Sequence, residues 1–243
     1  VSRAANRPPV RRRISVAGWI GRIILLLLGL LLLWNLWIFA HVLAWRWINP
    51  SNTAFMSEGL ARLEASNPDA ELRYRWVDYG QISTHLKRAL VASEDAKFLD
   101  HDGFDWEGIQ TAWEKNLRKG RIVAGGSTIS QQLAKNLFLS SGRKPWRKAE
   151  EAVITVMLEA LLDKRRIFEI YLNVIEWGNG VYGAEAAARH YYRTGAGRLT
   201  PSQSAKLAAM VTNPRYYDAH RGDRRLARKA AIIVRRMPYA DIP

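Results

Sequence analysis

The sequence predicts a mainly α-helical protein in which one membrane-crossing helix precedes a single helical domain. Three observations carry this expectation. Residues 23–45 contain no Asp, Glu, Lys or Arg and are dominated by leucine. Thr128-x-x-Gln131 and Thr200-Pro201-x-Gln203 both have the capping-box spacing that starts helices. Elsewhere apolar residues recur at helical intervals, with no internal repeat and almost no strand-like alternation.

Residues 1–22 read as a basic cytoplasmic tail: Arg3, Arg7, Arg11, Arg12, Arg13 and Arg22 are present and no acid is. Residues 23–45 would span about 35 Å as a helix, enough for a hydrocarbon core of about 30 Å with some tilt. Trp19 on one flank and Trp45 and Trp47 on the other suit the two interfacial belts. The arginine cluster stays in the cytoplasm, which sends everything after Arg46 across the membrane. A cleaved signal peptide has a shorter apolar region ending in a small-x-small site, and neither is present.

Residues 46–71, with Pro50, Asn52 and Pro68, read as a connector holding one short helix around 57–65. Residues 72–243 form the main domain. Ile82, Leu86, Ala89 and Leu90 share a helical face that ends near Glu94. Asp105, after an Asp102-Gly103 turn, caps a helix to about Lys119. Pro145 opens a helix to about Asp163 whose apolar residues reach all the way round, which predicts burial on every side. A further helix carries Ile167 to Leu172 and leads to a bend with Gly178, Gly180 and Gly183. Thr200 caps a helix to about Val211, Pro214 ends that region, and a basic helix over 223–236 closes the chain.

The bulk numbers narrow the chemistry. A net charge of +15 and a pI near 10.4 call for a polyanionic partner: nucleic acid, anionic lipid or a phosphorylated substrate. No cysteine means no disulfide and no thiolate zinc site, and the five histidines include no H-E-x-x-H. A dedicated metal site is therefore not expected.

Residues 125–136 organise the domain. Gly125 and Gly126 loosen the backbone, and the helix that Thr128 and Gln131 cap presents free N–H groups and a positive dipole end, a ready anion site. Lys135 lies two turns along from Thr128 on the same face. This is not a Walker A loop, because Gly126 stands where that motif needs lysine. An ordinary capped helix with a surface lysine is the competing reading.

Glu94 ends its helix beside Asp95. A carboxylate there meets the negative end of the dipole and a like-charged neighbour, which favours proton acceptance. A solvated acidic turn is the alternative. Arg147 and Glu151 are spaced for a helix-surface ion pair, but in the less favourable order and with a cation at the helix start. Residues that oppose local stability point to a ligand. Two carboxylates, Glu94 and Glu151, thus accompany two cations, Lys135 and Arg147. A carboxylate pair suits glycosidic chemistry, and cations beside it suit a phosphate leaving group. With such a leaving group, one carboxylate is free to act as base on an acceptor hydroxyl.

These residues fall in motifs that resemble those of the peptidoglycan glycosyltransferases, glycosyltransferase family 51. E-D-x-x-F-x-x-H-x-G matches Glu94 to Gly103, and G-x-S-T-I-x-Q-Q-L-x-K-N matches Gly125 to Asn136. R-K-x-x-E matches Arg147 to Glu151, and K-x-x-I-x-E-x-Y-L-N matches Lys164 to Asn173. The resemblance implies a lysozyme-like catalytic domain with a smaller membrane-apposed lobe, polymerising lipid II on the outer face of the inner membrane.

It implies Glu94 as general base on the acceptor 4-hydroxyl, with inversion at the donor sugar's C1 and loss of undecaprenyl pyrophosphate. Lys135 and Arg147 steady that pyrophosphate, Ser127, Thr128, Gln131 and Asn136 shape the site, and Glu151 orients the donor phosphates directly or through a divalent cation (Mg or Mn). Asp95, Glu169 and Asn173 are structural in this account. Ile122, Val123, Phe138 and Leu139 are candidates for the membrane-dipping rim. Partners implied are lipid II, the growing strand, the inner membrane and cell-division or other cell-wall synthesis proteins, with no nucleic acid. Too few residues follow Tyr217 for an appended transpeptidase domain. The competing readings are a lysozyme-like enzyme that cleaves peptidoglycan and a non-enzymatic membrane scaffold.

Overall fold

The computed structural model describes residues 16–121, 125–142 and 145–243. Arg3, Arg7, Arg11, Arg12 and Arg13 of the tail lie outside the described residues, as do Ile122 and Val123. The chain divides into two compact units, Val1–His41 and Val42–Pro243. The first is dominated by helix α1, Val16–Ala44, whose 29 residues rise about 43 Å. Its Gly18–Ala44 stretch is long and apolar enough to cross a membrane.

The second unit is helical: α2 (Ala54–Glu64), α3 (Thr84–Glu94), α4 (Trp106–Lys119), α5 (Ile129–Phe138) and α6 (Pro145–Leu161) come first. They are followed by α7 (Lys164–Val174), α8 (Ala184–Tyr192), α9 (Pro201–Met210), α10 (Pro214–Ala219) and α11 (Arg224–Arg236). Side-chain oxygens start most of them. Thr53, Ser83, Asp105, Asp163 and Asp223 each accept a first-turn N–H, and Thr128 and Thr200 close full capping boxes with Gln131 and Gln203. α7 is the central element, with Ile167, Phe168, Ile170, Tyr171 and Leu172 all buried. α5 packs on α6 and α7, while α3 packs on α9 and α11. α2, read from sequence as part of a connector, packs against α5, and Tyr182 Oη donates to the Phe55 carbonyl at 2.9 Å.

Several sequence expectations are corrected. α6 stops at Leu161 rather than Asp163, because the Asp163 carboxylate is needed to cap α7, accepting from Arg166 N–H at 2.7 Å. Nor is α6 buried all round: Val153 and Val156 are 45% and 56% exposed, on a stripe with Trp146 and Ala160. Pro214 does not end a region but begins α10, its ring serving at the first helical position. α8 was not anticipated.

Nor was a small sheet of order β1-β3-β2, formed by β1 (Arg73–Tyr74), β2 (Glu176–Gly178) and β3 (Val181–Tyr182). β1 pairs with β3 in parallel, β2 with β3 antiparallel. Asn179-Gly180 turns the hairpin, with Gly180 at φ 71°.

Gly183 enters α8 at φ 81°, ψ 156°, a region open only to glycine, and a Cβ there would sit 2.5 Å from the Asn173 carbonyl oxygen. Gly183→Ala is therefore expected to destabilise the protein by about 3 kcal/mol or more, read as a lower urea midpoint of the full chain in detergent. An unchanged midpoint would contradict this reading of the bend.

Candidate active site

The loop after α3 is tied to the start of α5. Buried Asp95 accepts the Ile129 N–H at 3.0 Å and faces His101 Nε2 at 3.1 Å. Gly103 N–H donates to His101 Nδ1 at 3.1 Å, so the network assigns the ring proton to Nε2, where Asp95 receives it. Thr128 Oγ1 donates to the Gly103 carbonyl at 2.7 Å and accepts from Gln131 N–H. Gln131 Oε1 accepts the Thr128 N–H at 3.0 Å. The helix start that the sequence offered as a phosphate cradle is thus filled from within, its positive end met by the Asp95 carboxylate. Thr128 and Gln131 are spent on the cap. Glu169 accepts Tyr79 N–H at 2.7 Å, and Asn173 brackets both the N–H and the carbonyl of Val77 at 3.0 Å.

Glu94 stands on the last turn of α3, its side chain 9% exposed. Donors surround it: Ser93 Oγ gives to Oε1 at 2.9 Å, Gln132 Nε2 gives to Oε2 at 3.2 Å, and Lys229 Nζ of α11 lies 3.7 Å from Oε1. Tyr171 Oη donates to Gln132 Oε1 at 3.0 Å, which orients the amide toward Glu94. Burial, with Glu94 and Asp95 nearby, pushes the Tyr171 phenol well above its ordinary range, so it stays a donor. A carboxylate has about four acceptor sites, and the open ones here are weighted to Oε2. Lys229 Nζ also donates to Thr212 Oγ1 at 2.8 Å.

Gln132 and Lys229 escaped sequence reasoning. Gln132 was legible: the capping box consumes Gln131, leaving its neighbour as the residue one turn before Lys135 and Asn136. Lys229 gave no signal within a basic helix.

Lys135 lies over the Phe55 ring at 5.5 Å. Burial lowers its pKa, Glu151 opposes that, Arg147 and Lys148 lower it further and Glu94 raises it. The other three charged residues singled out from sequence, Glu94, Arg147 and Glu151, are therefore within electrostatic reach of the Lys135 ammonium. The Arg147–Glu151 ion pair is not formed. Glu151, buried, pairs with Lys148, and Arg147 Nη1 donates to the Ser140 carbonyl at 3.1 Å. Arg147 Nε–H is buried with no partner among the described residues. Lys148 Nζ also reaches Ser127 Oγ at 3.5 Å, and Asn136 Nδ2 donates to the Gln132 carbonyl at 2.7 Å.

Two clefts open beside these residues. One, of about 360 Å³, is lined by Gln132, Lys135, Asn136, Glu176, Thr212 and Arg215. The other, of about 280 Å³, is lined by Glu94, Lys97 and the Gly125–Thr128 turn. Glu94 and Gln132 touch each other while lining different clefts. A carboxylate facing one space while Lys135 and Arg215 face another is an arrangement that can join two substrates.

Among the described residues no three His, Asp or Glu side chains cluster as a metal site. Glu151, the carboxylate the resemblance puts beside a divalent ion, holds an ammonium instead. These donors do not make an ion cage. The proposed rim is also revised. Phe138 packs on Trp45 with ring centroids 5.1 Å apart, and Leu139 is buried. On α4 and α6, Trp106, Trp113 and Leu117 and Trp146, Val153 and Val156 respectively stand exposed.

A family model described as transglycosylase matches residues 61–238. The biosynthetic peptidoglycan transglycosylase of Laribacter hongkongensis is 75% identical over 225 residues, 93% of this chain and 99% of the relative. That of Chromobacterium violaceum is 67% identical over 222 residues, 91% of this chain and 97% of the relative. That of Nitrosomonas eutropha is 54% identical over 238 residues, 98% of each chain.

Proposed function

The chain belongs to the transglycosylase family, and on that premise we propose that it polymerises lipid II into linear β-1,4 glycan strands of peptidoglycan. The observation that carries the reading is the pairing of Glu94 with Gln132 at 3.2 Å, base side in one cleft and Lys135 in the adjoining one. The acceptor's 4-hydroxyl loses its proton to Glu94 Oε2. Its oxygen forms a bond to C1 of the donor sugar from the face opposite the phosphate, inverting that carbon. The C1–O bond breaks and its electron pair leaves on undecaprenyl pyrophosphate.

Lys135 and Arg147 oppose the charge that develops there, the unpartnered Arg147 Nε–H being a donor of the right kind. Lys148, held by Glu151 and close to Ser127, adds a third cation. Asn136 lines the cleft beside Lys135. Thr128 and Gln131 act by fixing the start of α5. No protonated acid is required, because pyrophosphate is a far better leaving group than a sugar alkoxide.

α1 serves as a single-pass anchor in the bacterial inner membrane, N-terminus cytoplasmic and catalytic unit periplasmic, with the exposed tryptophans of α4 and α6 as its bilayer-facing lobe. The same reading expects cell-division or other cell-wall synthesis proteins nearby, since strands are inserted where the wall grows. The test is incubation of the full chain, in detergent, with lipid II and separation of products by size. Strands of many disaccharides are expected, and unreacted lipid II would contradict the proposal.

A further inference from the structure

Just past the end of α1 the chain is pinned to α7 by one arginine. Arg166 Nε donates to the Trp45 carbonyl at 2.7 Å, and Nη2 donates to the Ile48 carbonyl at 2.9 Å and Asn49 Oδ1 at 2.8 Å. Nη1 meets Glu169 Oε2 at 2.6 Å. This fixes Trp47, 72% exposed, and Ile48 outward at the foot of the anchor. Beside the pinned turn opens a cleft of about 510 Å³, lined by Arg46, Leu161, Asp163, Arg165, Arg166 and Glu169.

Its two carboxylates are spent: Asp163 caps α7, and Glu169 is shared between Arg166 and the Tyr79 N–H. Arg46 and Arg165 form no ion pair among the described residues, lying over the Trp47 and Tyr79 rings at 5.8 and 5.1 Å. The cleft, with three arginines against two carboxylates, therefore keeps a net positive charge, with Arg46 and Arg165 outside any ion pair among the described residues, above an apolar wall, Leu161, from which the exposed stripe of Ala160, Val156 and Val153 runs back along α6.

We propose that this cleft binds the headgroup of an anionic phospholipid, its phosphodiester between Arg46 and Arg165 and an acyl chain along α6. The inference rests on reading α1 as a membrane anchor, which puts Arg46 at headgroup depth. Positive charge on the exported flank of an anchor runs against the usual distribution, so its presence calls for a compensating contact. Guanidinium suits a phosphate through paired N–H donors, and juxtamembrane cations are drawn to anionic lipid.

The full-length protein in detergent is titrated with dioleoyl phosphatidylglycerol or dioleoyl phosphatidylcholine, and retained lipid is counted by native mass spectrometry. Wild type is expected to retain the anionic lipid about tenfold better, and the Arg46→Gln/Arg165→Gln double variant to lose that preference. An Arg224→Gln/Arg236→Gln control, equal in charge but on exposed α11, keeps it. Retention unchanged in the cleft variant, or lost equally in the control, overturns the site. Displacement of the lipid by millimolar inorganic phosphate would make it a general phosphate site and overturn the lipid assignment. Flotation with vesicles is scored separately: wild type failing to float refutes the anchor, while the titration still decides the cleft.

Discussion

Glu94→Gln is expected to lower lipid II polymerisation by about a thousandfold, the scale of losing a positioned general base. The substitution keeps the side chain's size and one acceptor oxygen, so the contact with Gln132 Nε2 can persist. What disappears is the ability to take a proton, together with a weak attraction to Lys229 at 3.7 Å. Circular dichroism and the melting temperature of the full chain in detergent should therefore stay close to wild type while turnover vanishes. A variant that melts normally and keeps more than about a tenth of the rate would remove Glu94 from the base role.

The second large effect is at Lys135. In the proposed mechanism Lys135→Ala removes an ammonium that opposes developing pyrophosphate charge, with an expected loss of about 10²–10³ in kcat. The wild-type pH profile carries a further signature. Burial lowers the Lys135 pKa from the ordinary 10.5, and the neighbouring Arg147 and Lys148 act the same way against Glu151 and Glu94. The free enzyme therefore loses this charge as pH rises through a value below that of an ordinary lysine, and kcat/KM falls on that alkaline limb. Bound pyrophosphate favours the charged form, so the limb in kcat lies at higher pH. Coincident limbs in kcat and kcat/KM, or an alkaline limb unchanged in Lys135→Ala, would contradict the assignment.

How much of this was legible in the chain depended on how local each cause is. Capping is decided within four residues, so the starts at Asp105, Thr128 and Thr200 could be read directly. Asp163 is legible as a polar boundary, but local pattern does not say whether it closes α6 or starts α7, which it caps. Asn179-Gly180 carries a hairpin signal that three nearby glycines, Gly178, Gly180 and Gly183, blur into a single bend.

The site shows the same division. Glu94, Lys135, Arg147 and Glu151 stand out by type and spacing, but which partner each takes is a tertiary fact. Lys148 rather than Arg147 pairs with Glu151 because Arg147 is turned toward Ser140. Asp95 fills the α5 start across a sequence separation of 34 residues, which no local pattern announces. Lys229 comes from the far end of the domain, brought to Glu94 by the packing of α11 on α3. The apolar face of α6 misled for a related reason: periodicity reports that a surface is apolar, not whether protein or lipid covers it.

The account stands on a deprotonated acid and a set of fixed cations joining two sugars at the expense of a lipid pyrophosphate. The direct measurement is the stoichiometry of the wild-type reaction on lipid II, counting disaccharides built into lysozyme-digestible polymer and undecaprenyl pyrophosphate released. One lipid pyrophosphate per linkage formed, with finished glycan left intact, is the expected result. Cleavage of finished glycan strands without polymer or lipid pyrophosphate would contradict it.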